Sequence, residues 1–554
     1  MKIAISQINT IIGDFAGNRE KILEYTNKAL ANGADIVVFP ELTLCGYPLL
    51  GLLEQDIFYE KTDESLKWLQ KNLPADIAVL VGHVSKNRAR DSKSCCNSIS
   101  VIKNGNIIFN QSKTFFPSYD FFNEVNEVNE ANGAKEIQES PKQNIFELNG
   151  IKIAIAGYED LFRNSGAGSA GRAGTAQLER DKGVRLIIVP SSLPFFAGKR
   201  KIRFDLIRDT GKKAALPVVY VNSTGGSDNF VFDGNSMVID NKGNLVLSAK
   251  VFEEELLFYD DTQKYESIEF KEDFYGDIEK AIIVGLRDYL VKCGFKKVHL
   301  GLSGGIDSAL VAYLAVKAIG KENVKVFAMP SEFSSKGSVI DAQKLADNLG
   351  LKMETIPIKN IYDQFLKELE PFFKNTPFGL AEENLQARIR GALMMSYSNK
   401  WNSLLLATGN KSEISVGYCT LYGDTAGAVC IIGDLFKTDV FKLCRYINKR
   451  DGEIIPEAII SKPPSAELRP NQKDEDSLPP YDTLDKILEL YILDNLSKKD
   501  IIKKGYDEKT VSFVISLVAG SEYKRAQAPF ILKIFSGSFG TRRRAPLARK
   551  IYEN

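Results

Sequence analysis

Residues 297–309 read Lys297-Val298-His299-Leu300-Gly301-Leu302-Ser303-Gly304-Gly305-Ile306-Asp307-Ser308-Ala309. The run Lys297–Leu302 has the apolar, β-branched character of a strand. A Gly-rich turn follows, and then a helical pattern over Ala309–Ala318. Glycines let such a turn bring its backbone close to a ligand, and the following helix aims free N–H groups at the same place, which makes an anion site. Ser303 and Ser308 offer hydroxyl donors. Asp307 cannot attract phosphate itself, so a carboxylate here points to a bound Mg²⁺. The loop lacks the Gly-Lys-Ser/Thr ending of the Walker type.

Working outward, Asp277–Cys293 reads as an amphipathic helix, Val324–Met329 as a strand and Val339–Leu349 as a helix. Strands alternating with helices predict a doubly wound parallel sheet. Upstream, strands are expected at Lys2–Ile8, Ile36–Phe39, Ile77–Val81, Ser98–Ile102, Ile153–Ala156, Leu186–Val189, Val218–Val221 and Ser236–Ile239. Helical stretches at Asn18–Asn32 and Arg200–Ala215 lie among them, giving a mixed sheet with helices on its faces. The pattern turns polar around Asp260–Phe270. We therefore expect two α/β domains, 1–260 and 261–554. Ser165–Gly174 and Pro463–Pro480 read as loops.

With 72 Lys+Arg against 71 Asp+Glu, the charge balance argues against a nucleic-acid or membrane-surface protein. No apolar run reaches the length of a membrane span. Seven scattered cysteines fit a reducing cytoplasm. Two histidines, His83 and His299, leave almost no room for a His-based metal site or triad.

The 303–308 loop resembles the pyrophosphatase loop of ATP-adenylating amidotransferases and synthetases. Further segments look like the NAD synthetase family in particular: Met329-Pro330-Ser331, Glu383–Gly391, Ala407–Glu413, Gly417–Asp424, Pro464–Pro470 and Glu522–Arg525. The resemblance implies ATP as a substrate at Gly301, Ser303, Gly304, Gly305, Asp307, Ser308 and Thr408, with Mg²⁺ on Asp307 and Glu413. Deamido-NAD is then expected at Asn384, Arg388, Glu413, Asp424 and Lys524. Asn384 and Arg388 are four apart on a helical pattern and share a face. Thr408 follows the apolar run Leu404–Ala407 and so ends a strand, where ligands collect in such sheets.

The first half resembles the nitrilase-type glutaminase domain that accompanies many NAD synthetases, which implies an α/β/β/α sandwich. Phe39–Leu42, Gly46-Tyr47-Pro48, Lys113 with Phe116–Tyr119, Tyr158-Glu159-Asp160, Gly198-Lys199-Arg200 and Phe232–Ser236 carry the match. By that pattern Glu41 is the general base and Lys113 the lysine of a Glu–Lys–Cys triad. The position of the nucleophilic cysteine holds Tyr158, and a phenol is a poor substitute for a thiol. Leu193 stands where the family holds glutamine with a serine, and Glu332 where an arginine is common. We therefore expect deamido-NAD, ATP and free ammonia as reactants, glutamine being doubtful, in a homo-oligomeric cytoplasmic enzyme without nucleic-acid or membrane partners. Two alternatives stand beside this: a glutamine-dependent enzyme with an unusual glutaminase site, and an N-terminal domain that only binds or oligomerises.

Overall fold

The computed structural model describes residues 1–86, 95–112, 144–158, 161, 183–374, 376–539 and 546–547. The chain divides into two compact units, Met1–Asp277 and Ile278–Asn554.

The first unit is built on two six-stranded sheets. One contains β1 (Lys2–Gln7), β2 (Ile36–Val38), β3 (Ala78–Lys86), β4 (Cys95–Lys103) and β5 (Asn106–Ser112). The other contains β6 (Ile145–Leu148), β7 (Ile151–Ile155), β8 (Leu186–Ser191) and β9 (Val218–Asn222). A hairpin, β10 (Thr224–Ser227) with β11 (Phe230–Asp233), stands apart. β12 (Met237–Ile239) and β13 (Leu245–Ser248) complete the second sheet, and β14 (Glu255–Asp260) returns to the first. The orders are β14-β1-β2-β3-β4-β5 and β13-β12-β9-β8-β7-β6. In each sheet three parallel strands are flanked by antiparallel ones.

The layering follows from the two-residue period of a strand. Ile3, Ile5, Ile36 and Val38 of one sheet share a core with Ile153, Ile155, Leu186 and Ile188 of the other. The intervening Ala4, Val37 and Val79 face a cluster with Ile22, Ala29, Leu66 and Leu69 of helices Phe15–Ala31 and Asp56–Asn72. Ala154, Ile187, Val189 and Tyr220 likewise share a cluster with Leu206, Ile207 and Ala214 of helix Lys199–Ala214. Both faces of the parallel strands are thus dry, which explains why these strands read as unbroken apolar runs. The architecture is the expected α/β/β/α sandwich.

The second unit carries one sheet of β15 (Val298–Gly301), β16 (Val324–Ala328), β17 (Met353–Thr355), β18 (Leu404–Ala407), β19 (Val429–Cys430) and β20 (Phe530–Ile531). Its order is β17-β16-β15-β18-β19-β20 and every pairing is parallel. From β15 the chain winds outward to β17, then returns to β18 and winds the other way. The switch point lies between β15 and β18, where a crevice opens at the strand ends. The doubly wound expectation holds. No helix of the described residues is long and apolar enough to cross a membrane.

Several strands escaped the sequence reading. β5 is half polar and lies at a sheet edge, with Ile107 and Ile108 exposed. β14 pairs with β1 across more than 240 residues (Gln7 opposite Glu255), so no local pattern announces it. Lys113, Phe116–Tyr119, Glu159-Asp160 and the stretch Ser165–Gly174 lie outside the described residues.

Candidate active site in the second unit

The loop after β15 is folded on its own side chains. Ser303 Oγ accepts from the Gly305 N–H at 3.1 Å and lies 3.0 Å from Ser308 Oγ. Ser308 Oγ donates to the Gly305 carbonyl at 3.1 Å. The Ser308 hydroxyl, expected as a phosphate donor, therefore braces the turn. Gly304 has φ +77°, and a Cβ there would sit 2.2 Å from the Ser338 carbonyl oxygen. Only glycine combines that conformation with that approach. Helix Ile306–Ile319 starts at Gly305, which supplies no side-chain cap. Its first-turn N–H groups are thus left for an anion.

Across the switch point, β18 delivers Thr408, Gly409 and Asn410. The side chain of Asn410 accepts from the Glu413 N–H at 3.0 Å, and Glu413 Oε2 accepts from the Asn410 N–H at 3.3 Å. This capping box fixes Glu413 on the short helix Lys411–Val416. Asn410 Nδ2 also donates to Asp307 Oδ1 at 2.9 Å. The loops after β15 and β18 are thereby joined at the two carboxylates expected to act together.

Between those carboxylates lies Lys437. Its Nζ is 2.5 Å from Asp307 Oδ2 and 3.3 Å from Glu413 Oε1, and it sits 5.4 Å from the centre of the Tyr481 ring. Sequence reasoning missed it. A signal was present, since Lys437 opens helix Lys437–Asp451, where a cation opposes the helix dipole. Asp474, buried and accepting from Tyr481 Oη at 2.9 Å, brings a third carboxylate to the pocket wall. Burial pushes the Glu413 carboxyl up, against the pull of Lys437. Burial alone would lower Lys437, but Asp307 and Glu413 more than offset it and raise the amine.

The cavity at this point has a volume of about 340 Å³, within the range of small-molecule sites. Gly301, Ser303, Gly305, Asp307, Ser308, Thr408, Glu413, Asp424 and Lys524 all line it. Lys524 is more than a solvated surface charge: its Nζ donates to the carbonyls of Gly417 and Cys419 at 2.7 and 2.8 Å. Gly304 shapes the loop from behind.

Asn384 and Arg388 are not in the lining. Asn384 Oδ1 accepts from Thr420 Oγ1 at 2.6 Å, and Arg388 is exposed, with its Nε on the Leu421 carbonyl at 3.3 Å. They share a helix face, as expected, but the cavity is lined by Arg390 of the same helix. Arg390 Nε donates to the Met329 carbonyl at 2.9 Å, and burial lowers its pKa to about 10. Glu332 is exposed and 4.0 Å from Lys359 Nζ, away from the lining.

Asp307 and Glu413 converge on one ammonium, so their oxygens can share a cation. Two carboxylates suffice for Mg²⁺ when substrate phosphates complete its shell. Among the described residues no group of three or more His, Cys, Asp or Glu is placed to hold a metal.

In the first unit, Glu41 is the one triad residue among the described positions. Its Oε1 accepts from Asn97 Nδ2, and its Oε2 from the Ser192 N–H at 3.3 Å. Gly82 of β3 permits this placement, since a Cβ there would lie 2.4 Å from the Leu42 nitrogen. Tyr158 is 3% exposed and belongs to the apolar cluster under helix Lys199–Ala214, against which Leu193 also packs. Its ring centre is 6.1 Å from that of Tyr220. Tyr158 and Leu193 therefore serve one core.

Comparison with known proteins joins the two halves. The family model described as carbon-nitrogen hydrolase matches residues 2–265, and that described as NAD synthase matches 278–528. A glutamine-dependent NAD(+) synthetase from Synechocystis sp. is 42% identical, covering 95% of this chain and 94% of its own. One from Thermotoga maritima is 37% identical, with 95% of each chain covered. The chain belongs to the NAD(+) synthetase family. It is accordingly an enzyme, a carbon–nitrogen ligase. A solved structure of a glutamine-dependent NAD+ synthetase from Acinetobacter baumannii, in complex with adenosine diphosphate, superposes with a TM-score of 0.76 at 36% identity. That match covers 100% of this chain and 99% of that one. The names of these relatives favour glutamine, the alternative above, over free ammonia as the nitrogen source.

Proposed function

We propose that the second unit forms NAD from deamido-NAD, ATP and ammonia. The observation that carries this is the cluster at the sheet's switch point, where Asp307, Glu413 and Lys437 meet an uncapped helix N-terminus in one cavity. The nicotinate carboxylate attacks the α-phosphorus of ATP and pyrophosphate leaves. Ammonia then attacks the acyl carbon, AMP departs, and the nitrogen loses a proton to give the carboxamide. The N–H groups of helix Ile306–Ile319 and Lys437 stabilise phosphate charge, a preorganised arrangement of the kind that lowers barriers most. Mg²⁺ would be held by Asp307 and Glu413 and, when bound, neutralises phosphate charge. Thr408 and the 301–308 loop hold ATP. Asp424 and Lys524 face the acid substrate, with Arg390 in the place first expected of Asn384 and Arg388.

We further infer that free ammonia is the nitrogen source. Tyr158 supports this, because a buried phenol in an apolar cluster replaces the thiol that a glutaminase needs. The second reading, glutamine as the source, is favoured by the relatives' names. The deciding measurement is NAD formation by the pure, ammonia-free protein with ammonium or glutamine at equal concentration. Ammonium is expected to support synthesis and glutamine is not. Comparable rates with the two would establish the second reading.

A related outcome concerns Tyr158→Cys. Replacing the ring in a packed cluster leaves a cavity, so the variant should lose roughly 2–4 kcal/mol of stability in denaturant unfolding. Glutamate release from glutamine should stay near zero, because a sulfur misplaced by about 1 Å loses about a hundredfold. Glutamate release as fast as NAD formation would show that only the nucleophile had been lost.

A further inference from the structure

Asp485 is a buried carboxylate, 4% exposed, with no part in the scheme above. It sits on helix Tyr481–Leu488, four residues after Tyr481 and so on the same face. Its Oδ1 accepts from Ser412 Oγ at 2.5 Å, and its Oδ2 from the Thr438 N–H at 2.8 Å. Ser412 Oγ in turn accepts from the Lys437 N–H at 2.9 Å. Helix Lys437–Asp451 follows Phe436, which offers no side-chain cap. Its first two N–H groups are therefore satisfied from outside, by Ser412 and Asp485, with the negative charge at the favourable end of the helix.

Ser412 immediately precedes Glu413. One carboxylate thus ties the backbone bearing Glu413 to the backbone bearing Lys437. Tyr481, on the same helix face, places its ring 5.4 Å from Lys437 Nζ and donates its hydroxyl to Asp474. Neither Asp485, Ser412 nor Thr438 lines the cavity.

We infer that Asp485 is a positioning residue that sets Lys437 against Asp307 and Glu413 for the ATP-dependent step. This rests on the reading of Lys437 as part of the phosphate-handling cluster. A residue acting through Lys437 has no work left once the amine is removed, whereas a residue that only supports the fold multiplies its loss with any other.

The test is the rate of NAD formation from deamido-NAD, ATP and ammonium in the full chain carrying Lys437→Met, Asp485→Asn or both. Lys437→Met should lower kcat/KM by about a hundredfold and Asp485→Asn by about tenfold, with the double variant within about twofold of Lys437→Met. Near-normal activity in Lys437→Met overturns the reading of the cluster, and the positioning role with it. A large loss there, with Asp485→Asn unchanged or with multiplied losses in the double variant, overturns the positioning role alone. If Asp485→Asn does not fold, Ser412→Ala takes its place in the same cycle. A loss absorbed by Lys437→Met supports the inference, and full activity overturns it.

Discussion

Asp307→Asn should reduce NAD formation by at least about a hundredfold, equivalent to about 2.7 kcal/mol of barrier. The carboxylate receives Lys437 Nζ at 2.5 Å on one oxygen and Asn410 Nδ2 at 2.9 Å on the other. An amide cannot neutralise the ammonium and cannot hold a divalent cation as a carboxylate does. It also leaves Lys437, 3% exposed, with Glu413 alone at 3.3 Å. Breaking a buried pair from one side costs about 3–5 kcal/mol when nothing replaces it. With Glu413 still in place, the stability loss should fall below that range and leave the variant folded at 25 °C. Rates and thermal unfolding are measured on the same preparation. A folded variant that keeps more than about a tenth of the activity, less than about 1.4 kcal/mol, would remove Asp307 from the chemistry. Glu413→Gln should behave alike.

Gly304→Ala should be nearly as damaging without touching a charge. A methyl group at φ +77° is strained, at about 1–3 kcal/mol. It also meets the Ser338 carbonyl oxygen at 2.2 Å. That oxygen cannot yield easily. Ser338 lies in the first turn of helix Lys336–Leu349, whose start is capped by Ser335, and its hydroxyl donates to Glu467 Oε1 at 2.6 Å. The loop must move instead, and a shift of about 1 Å at a reacting centre removes about a hundredfold in rate. Gly337→Ala is the control, since its nearest neighbour would be Ser335 Oγ at 3.9 Å. Steady-state kinetics should show the first variant crippled and the second near normal. Equal activities would show that the loop tolerates displacement.

The element that anchors the second unit could be read directly, because its chemistry is contiguous. Strand, turn, uncapped helix end and carboxylate fall within 13 residues, and local rules place all of them. The four-layer first unit was also legible, since strands dry on both faces announce themselves as unbroken apolar runs. Spacing along a helix revealed that Asn384 and Arg388 share a face. It could not reveal which way that face looks, and packing turned Arg390 toward the cavity instead. Lys437 was missed for another reason, its unfavourable place at a helix start being the one local mark it carries. Its partners lie 130 and 24 residues away in the chain, and a lone lysine in sequence carries no mark of the carboxylates it will meet. Asp485 shows the same limit, reaching Ser412 and Thr438 across 73 and 47 residues. Sequence alone thus determined the Gly-rich turn between strand and helix, the sheet class and the presence of a tyrosine at position 158. Which charges face one another was decided only when the strands returned to either side of the switch point between β15 and β18, because long-range electrostatic pairing is a property of the folded chain.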